Sequence, residues 1–252
     1  MKKSKKNIRP ATQIKLLDTT APFAVRESFN QLRTNLMYTI TEADPCPVFG
    51  ITSVSEDSGK STIIVNLAIS FSQIGKKVLL VDGDMRCPVV YRFFDLEPKH
   101  VGLSEAISGI ENDVIIKDVM PGLDLITSGH LPPNPSELLT SNNMKALIAK
   151  WKNDYDIIFF DFPPTALLTD AVALCNDITG YIFDVRSGFN SASEVNATLE
   201  NMERVGAKIV GIVLNDYNIK GSGRYARKSR YSHYETSRYA AAHEQAAETE
   251  SK

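Results

Sequence analysis

The feature that most constrains the fold of this chain is a strand–loop–helix pattern between Val48 and Phe71. Its apolar run, Val48–Ile51, predicts a buried strand. A polar loop follows and ends in Gly59-Lys60-Ser61-Thr62, after which apolar residues recur at a helical spacing. This order is typical of a nucleotide phosphate-binding loop, because backbone N–H groups and a helix N-terminus stabilise phosphate oxygens. An ordinary helix start is the alternative, and the flanking strand and helix favour the nucleotide site.

The predicted phosphate loop, Ser55–Thr62, lacks the glycines of the usual sequence. The first of these glycines would fall at Val54, and the interior residues Ser55-Glu56-Asp57-Ser58 include none. If one interior residue takes a positive φ, Asp57 is the most tolerant occupant. Acidic residues here also repel phosphate, by about 1 kcal/mol per charge at roughly 8 Å and an effective dielectric of about 40. The loop therefore predicts weakened, but not abolished, nucleotide affinity.

Each polar residue that opens the predicted helix has an expected contact. Lys60 would supply a positive charge to the outer phosphates, Ser61 a hydroxyl ligand to Mg²⁺, and Thr62 would lie near the inner phosphates. Gly59 and the loop residues before it would present backbone N–H groups to the phosphates.

Carboxylates follow two further apolar runs. The run that starts at Lys77 ends in Asp82-Gly83-Asp84, and the run that starts at Tyr155 ends in Asp161. Ligands of parallel sheets bind at the carboxyl ends of the strands, so these side chains are expected beside the phosphate loop. Aspartate also opens turns after strands, but three such residues coinciding with a phosphate loop favour a Mg²⁺–nucleotide site.

Strand and helix patterns alternate along the chain, which predicts an α/β fold with a doubly wound, mostly parallel sheet. A less regular stretch, 86–120, contains a short helical piece at Leu103–Ile107. The other predicted elements are helix 23–40, strand 48–53, helix 60–74, strand 77–82, strand 123–127, helix 135–152, strand 156–161, helix 169–175, strand 180–185, helix 190–204 and strand 208–214.

Composition limits the class of protein. The 252 residues carry a net charge of -2, which argues against a general nucleic-acid binder. Three scattered cysteines have no metal-site spacing and fit a reducing cytoplasm, and no apolar run approaches the roughly 20 residues of a membrane span. We divide the chain into a flexible basic segment (1–20), a nucleotide-binding domain (21–218) and a mobile tail (219–252).

The tail holds a tyrosine cluster in a cationic, aliphatic-poor sequence. Four of the nine tyrosines of the chain lie there, at Tyr225, Tyr231, Tyr234 and Tyr239. The residues alone leave two interpretations open: an arm that binds nucleic acid or lipid, and a segment that is phosphorylated. Four phosphotyrosines would turn a basic segment acidic, since each adds about -1.5 to -2 charges.

These parts together resemble a known group, the deviant Walker P-loop ATPases of the MinD/ParA-like type. That group carries a second aspartate motif after the next strand, which here is Val81-Asp82-Gly83-Asp84-Met85-Arg86. Within it the chain most resembles the bacterial protein-tyrosine kinases of capsular and exopolysaccharide synthesis. The resemblance extends over roughly residues 20–240 and includes Arg26–Leu36, Ile212–Asp216 and the terminal tyrosines.

The resemblance implies an ATP- and Mg²⁺-dependent protein-tyrosine kinase. It implies that Asp84 and Asp161 hold the Mg²⁺ shell through water and that Asp82 accepts the proton of the tyrosine hydroxyl. Arg86 is close enough in sequence to contact phosphate, and Arg186 is a second such residue or a surface ion pair. The tyrosine cluster is expected to be autophosphorylated in trans.

The resemblance also implies partners and an assembly. The family's first helix carries a Glu-x-x-Arg-x-x-Arg subunit contact, of which Glu27 and Arg33 are present while Asn30 replaces the middle arginine. A homo-oligomeric ring is therefore expected, which self-phosphorylation would dissociate. The expected partners are a membrane adaptor of the polysaccharide chain-length (Wzz-like) type and a cognate tyrosine phosphatase, with no specific nucleic acid. The protein is then expected in the cytoplasm, at the inner face of the membrane.

Two other functions are compatible with the fold. A positioning or partition ATPase usually has a signature lysine at the position of Ser55, so its absence and the tyrosine tail argue against that function. A non-catalytic nucleotide switch is the other alternative, and the glycine-free loop is its main support.

Overall fold

A computed structural model describes residues 16–18, 20–41, 43–98, 101–165 and 170–217 of the chain. Strands and helices alternate along most of it, as the sequence predicts. The elements are α1 (Phe23–Met37), β1 (Val48–Ser53), α2 (Lys60–Ser72), β2 (Val78–Asp82), a 3₁₀ turn (Val90–Phe94), α3 (Leu103–Ser108), β3 (Ile116–Met120), β4 (Leu123–Ile126), α4 (Pro135–Leu139), α5 (Asn142–Trp151), β5 (Ile157–Asp161), a 3₁₀ turn (Ala171–Leu174), β6 (Gly180–Arg186), α6 (Ala192–Arg204) and β7 (Ile209–Asn215).

The strands form one sheet in the order β3-β4-β2-β5-β1-β6-β7. Every adjacent pair is parallel except β3 with β4. Strands β1, β2 and β5 lie at or next to the centre and are buried along their whole length, which explains their continuous apolar sequences. The predicted doubly wound, mostly parallel sheet is confirmed, and its carboxyl edge brings the ends of β1, β2 and β5 together.

Alternate residues of the central strands pack on opposite faces of the sheet. Ile157 and Phe159 contact one core, which is covered by α1 and α2. Ile158 and Phe160 contact the other, which is covered by α3, α4, α5 and α6. Leu17 belongs to the first core and is 2% exposed, although the sequence assigns it to the flexible segment 1–20. Burial of these two apolar cores stabilises the sheet and so fixes the position of the edge that carries the site.

Two predicted helices are wrong in extent. The predicted helix 135–152 is two helices: the first ends at Leu139, and Ser141 caps the second by accepting a hydrogen bond from the N–H of Met144 at 3.3 Å. The predicted helix 169–175 is a 3₁₀ turn over Ala171–Leu174. The other predicted helix and strand ends lie within a few residues of the observed ones.

Strand β3 was not predicted. It lies in the stretch 86–120 that the sequence presents as less regular, and it pairs antiparallel at one edge of the sheet. Its residues are half-buried or exposed, and Lys117 and Asp118 occupy its middle. An edge strand of this kind lacks the continuous apolar run that marks the central strands.

Candidate nucleotide-binding site

The phosphate loop connects β1 to α2 and contains two residues in the left-handed region. Asp57 has φ 58°, which confirms the prediction for this position, and Gly59, the N-cap of α2, has φ 108°. A side chain at Gly59 would also collide with the amide of Asn215, since a Cβ there would lie 2.1 Å from Nδ2. The backbone conformation at this position therefore favours glycine, and a side chain there would also displace the amide of Asn215.

Strand pairing brings the predicted carboxylates together beside Lys60. Asp82 at the end of β2 lies in register with Asp161 at the end of β5. The Nζ of Lys60 lies 3.8 Å from the Oδ2 of Asp84, and both side chains are largely buried. The site predicted from three separate sequence segments is thus one cluster at the carboxyl edge of the sheet.

The Lys60 ammonium is stabilised in its charged form by this cluster. Burial alone lowers the pKa of a lysine, but nearby carboxylates outweigh burial and raise the pKa of Lys60. In order of influence these carboxylates are Asp161, Asp84, Asp82 and Asp184. Lys60 is therefore positively charged when phosphate arrives.

Asp161 is fully buried, and neither of its side-chain oxygens makes a hydrogen bond of normal geometry within the described residues. Burial raises the pKa of this carboxyl to about 6, although the charge of Lys60 and the nearby hydroxyl of Ser61 lower it. A buried carboxylate whose oxygens keep free acceptor capacity is a suitable second partner for a hydrated cation.

Asp82 is fully buried and holds the chain segment that follows it. Its Oδ2 accepts a hydrogen bond from the N–H of Val90 at 3.2 Å, and its Oδ1 accepts one from the N–H of Asp84 at 3.3 Å. Burial and then the adjacent charge of Asp161 raise its pKa well above the ordinary value. Asp84 accepts from the N–H of Cys87 at 2.9 Å, so both carboxylates shape the segment 84–90.

The sequence analysis missed one acidic residue of the cluster, Asp184. It lies on β6 opposite Ser53 of β1, is 1% exposed, and makes no hydrogen bond of normal geometry within the described residues. Burial raises its pKa to about 6, although the nearby hydroxyl of Ser58 lowers it. Its signal was a single acid inside the apolar run Tyr181–Val185, where a buried strand otherwise has no charge.

Arg86 forms its ion pair with Asp170 and also feels the charge of Asp84. Its Nε donates to the Oδ2 of Asp170 at 2.7 Å, and its Nη2 donates to the Oδ1 at 3.3 Å. The hydroxyl of Ser136 also donates to Asp170, so this carboxylate joins three separate segments. The guanidinium of Arg86 is engaged by Asp170 in this arrangement, and its expected contact with phosphate stays a prediction.

The residues expected at a subunit contact have neighbours within the chain. The Nδ2 of Asn30 donates to the Oε1 of Glu27 at 2.8 Å. The Nη1 of Arg33 donates to the backbone and side-chain oxygens of Ser70 on α2, at 2.7 and 2.6 Å. Arg33 thus joins α1 to α2 while it stays partly exposed, and Glu27 is exposed, so the expected subunit contact through these two residues stays a prediction.

The donor set suits Mg²⁺ bound together with a nucleotide. No group of three or more His, Cys, Asp or Glu in the described ranges is arranged to hold a metal ion alone. Mg²⁺ commonly takes one or two protein carboxylates and completes its shell with water and phosphate oxygens. Asp161 and Asp84 beside Lys60 and the N-terminus of α2 provide such a partial shell. The tail tyrosines Tyr225, Tyr231, Tyr234 and Tyr239 lie outside the described residues.

Within the described residues, no helix combines the length and apolarity that crossing a bilayer requires.

Comparison with known proteins agrees with this geometry. A family model described as an AAA domain matches residues 51–207. The chain is 35% identical over 211 residues to the tyrosine-protein kinase CpsD of Streptococcus agalactiae serotype III (strain NEM316), covering 82% of this chain and 90% of that protein. It is 34% identical over 236 residues to the tyrosine-protein kinase YwqD of Bacillus subtilis (strain 168), covering 92% of this chain and 96% of that protein.

Solved structures give the same relationship. The kinase domain of the Escherichia coli tyrosine kinase ETK matches with a TM-score of 0.73 and 33% identity, covering 79% of this chain and 78% of that one. The septum site-determining protein MinD from Pyrococcus horikoshii, complexed with Mg-ADP, matches in fold with a TM-score of 0.60 and 20% identity, covering 73% and 76%. The chain therefore belongs to the bacterial tyrosine-protein kinase family and has its deviant Walker P-loop fold.

Proposed function

We propose that this protein transfers the γ-phosphoryl group of ATP to tyrosine. The observation that carries the proposal is the buried Lys60 between the phosphate loop and the carboxylates of Asp84 and Asp161. Phosphoryl transfer depends mainly on positioning and on stabilising negative charge. Lys60 stays charged at the N-terminus of α2 and stabilises that negative charge, and the N–H groups of the loop stabilise it further.

Mg²⁺ would be held by few protein groups. Ser61, the second residue of α2, would contribute its hydroxyl, while Asp84 and Asp161 would hold water molecules of the metal shell. When bound, Mg²⁺ neutralises phosphate charge and orients the γ-phosphoryl group. Ser55–Ser58, Gly59 and Thr62 would bind the phosphates mainly through backbone N–H groups.

Asp82 is the proposed base for the tyrosine hydroxyl. Its raised pKa suits proton acceptance, because a base with a pKa closer to neutrality binds the transferred proton more strongly. Its burial and its bonds to the N–H groups of Val90 and Asp84 mean that the segment 84–90 must open for a substrate to reach it. We therefore propose that substrate binding displaces this segment.

The proposed first substrate is the tyrosine cluster of another copy of the chain. Phosphorylation of Tyr225, Tyr231, Tyr234 and Tyr239 would reverse the charge of the tail, as about -1.5 to -2 is added per residue. This charge reversal would weaken the contacts of the tail with acidic surfaces and strengthen its contacts with basic surfaces. Ring assembly through Glu27 and Arg33, and its loss after phosphorylation, form part of this proposal.

The proposed cellular role is control of capsule or exopolysaccharide synthesis. In this role the protein lies at the inner face of the membrane through an adaptor of the polysaccharide chain-length type, and a cognate tyrosine phosphatase reverses the modification. The names of the relatives support kinase activity, and the resemblance to kinases of polysaccharide synthesis supports the role.

A nucleotide switch without transfer remains a second candidate, favoured by the acidic loop residues Glu56 and Asp57. Incubation of the purified protein with ATP and Mg²⁺, with ADP release and phosphotyrosine measured together, separates the two. We expect both products to form in proportion, and neither with Lys60→Met. Kinase activity would be excluded if the protein binds nucleotide but forms no phosphotyrosine, both with and without membranes that contain the adaptor.

A further inference from the structure

The carbonyl groups of the phosphate loop are held by the ends of two neighbouring strands. The Nη1 of Arg186, the last residue of β6, donates to the carbonyl of Asp57 at 3.0 Å. The Nδ2 of Asn215, the last residue of β7, donates to the carbonyl of Ser58 at 2.8 Å. These two consecutive carbonyls belong to the loop interior, Ser55–Ser58, which contains no glycine.

Both donors are themselves fixed by Asp216. Its Oδ2 accepts from the Nη2 of Arg186 at 3.0 Å and from its Nε at 3.1 Å. Its backbone N–H donates to the Oδ1 of Asn215 at 2.8 Å, which leaves the Nδ2 of that amide directed to Ser58. The arrangement is therefore a connected network and does not consist of isolated surface contacts.

A third contact holds the start of the loop. The Nδ2 of Asn190, which follows β6, donates to the hydroxyl of Ser55 at 2.8 Å. Ser55 occupies the position where the positioning ATPases usually have their signature lysine, so the side chain there has a structural partner in this protein. All three contacts come from the same side of the loop, the side of β6 and β7.

These contacts determine the direction of the loop N–H groups. A trans peptide is planar, so its N–H points opposite to its carbonyl. Holding the carbonyl of Asp57 therefore directs the N–H of Ser58 away from Arg186, and holding the carbonyl of Ser58 directs the N–H of Gly59 away from Asn215. These are N–H groups that a phosphate loop presents to its ligand.

We infer that Asn215 and Arg186 are positioning residues that set the phosphate-binding conformation of a loop without the usual glycines. The inference rests on the proposed nucleotide-dependent function. A glycine-rich loop adopts left-handed conformations freely, whereas Asp57 at φ 58° does so at a cost. The hydrogen bonds from β6 and β7 offset that cost and hold the loop ready for phosphate.

The main test uses Asn215, which is uncharged and therefore has no charge to offer phosphate. Mg²⁺-dependent binding of a fluorescent ADP analogue is measured for the wild type, Asn215→Ala and Asn215→Asp. We expect about a fivefold increase in Kd for the alanine variant, the usual effect of one hydrogen bond. We expect a larger increase for the aspartate variant, which has the same size but presents an oxygen to the carbonyl of Ser58.

The matched control is Arg204→Gln on α6. Arg204 is exposed and, among the described residues, forms its ion pair with Glu200 in its own helix, so its removal should leave Kd unchanged. Melting temperatures are measured without nucleotide for every variant, and binding is measured well below them. If the Kd of an Asn215 variant rises by more than its unfolded fraction can account for, the result supports positioning of the loop. If the variant has a lower melting temperature but an unchanged Kd, the inference is overturned.

Competition by ATP and GTP identifies what Asn215 acts on. Positioning of the loop predicts that both nucleotides weaken by the same factor, because both carry the same phosphates. A loss confined to ATP would show that Asn215 contacts the base, and would overturn the inference. If the wild type binds neither nucleotide, the proposed function fails and the inference falls with it.

Arg186 provides a second test, because salt distinguishes its two possible actions. Arg186→Gln should weaken ADP binding by a factor that does not change with salt, since the lost contact is to a carbonyl. Arg186→Lys, which keeps a donor, should recover part of the affinity. A direct ion pair with phosphate would instead be screened, so a defect that disappears at high salt would contradict positioning by Arg186.

Discussion

The Nζ of Lys60 lies 3.8 Å from the Oδ2 of Asp84, which joins the phosphate loop to the segment that follows β2. The two residues come from different strand–loop connections, and the sheet order places those connections on either side of β5. Asp161, at the end of β5, supplies the carboxylate with the largest influence on Lys60. The charge distribution of the site is thus built from the order of the strands.

Asp161→Asn should stabilise the folded protein at neutral pH. Burial raises the pKa of Asp161 from 3.8 to about 6, so burial outweighs the attraction to Lys60. The contribution of this group to stability is full below pH 3.8 and is lost as pH rises through about 6. We expect an increase of about 1–3 kcal/mol in the free energy of unfolding at pH 7, and little difference at pH 4, by urea denaturation. A variant that is less stable at pH 7 would contradict this account.

Nucleotide binding with Mg²⁺ should weaken as pH falls through 6. Asp161 and Asp184 both have pKa values of about 6, and a protonated carboxyl does not support a cation shell. We expect the advantage that Mg²⁺ gives to ADP binding to be several-fold smaller at pH 5.5 than at pH 7.5. Calorimetry with Mg²⁺, and with EDTA as the control, measures it. An advantage that is independent of pH would show that neither carboxylate supports the metal.

Asp57→Asn should increase nucleotide affinity. Asparagine tolerates φ 58° as well as aspartate does, so the loop conformation is kept while one negative charge is removed. The lost repulsion is about 1 kcal/mol, which corresponds to about a fivefold lower Kd for ADP. Asp57→Val is the contrasting variant, because a β-branched residue is strained at this φ and should weaken binding. Equal affinities for all three proteins would contradict the roles given to charge and conformation.

Asp170→Asn should destabilise the fold. Burial raises the pKa of Asp170, but hydrogen bonds from Arg86 and Ser136 outweigh it and keep the pKa below its ordinary value. The stabilisation is therefore present above pH 3.8 and is lost as pH falls below it. We expect a loss of about 1–3 kcal/mol at pH 7, which should shrink in acid.

Arg204→Gln is the control for this measurement, since its ion pair with Glu200 is exposed and should matter by less than about 1 kcal/mol. An Asp170→Asn variant as stable as the control would mean that the contacts of Arg86 do not hold the segment after β2.

The central strands and their terminal aspartates were predictable because burial on both faces leaves a continuous apolar run that ends abruptly. Asp82, Asp84 and Asp161 were found this way, and the left-handed conformation of Asp57 followed from the lack of glycine. Strand β3 was not predicted because an edge strand contains polar residues and lacks a continuous apolar run. The break at Ser141 was missed although the polar stretch Thr140–Asn143 interrupts the apolar spacing there and serine is a typical N-cap residue.

Contacts between distant segments were not predictable from local patterns. Arg86 and Asp170 are 84 residues apart, and no periodicity links them. Asp184 was missed because it is a single acidic residue within an apolar strand. Only the pairing of β6 with β1, in which Asp184 lies opposite Ser53, places it at the site. The network of Arg186, Asn215 and Asp216 likewise depends on β6 and β7 being neighbours.

The measurement that tests the central claim most directly is peptide mass spectrometry of the tail after incubation with ATP and Mg²⁺. Wild type and Lys60→Met are compared, each with and without membranes from cells that contain the native adaptor. We predict phosphate on one or more of Tyr225, Tyr231, Tyr234 and Tyr239 in the wild type and none in the variant. A wild-type tail that stays unmodified under all conditions, or a variant modified to the same extent, would contradict tyrosine kinase activity directed at the tail.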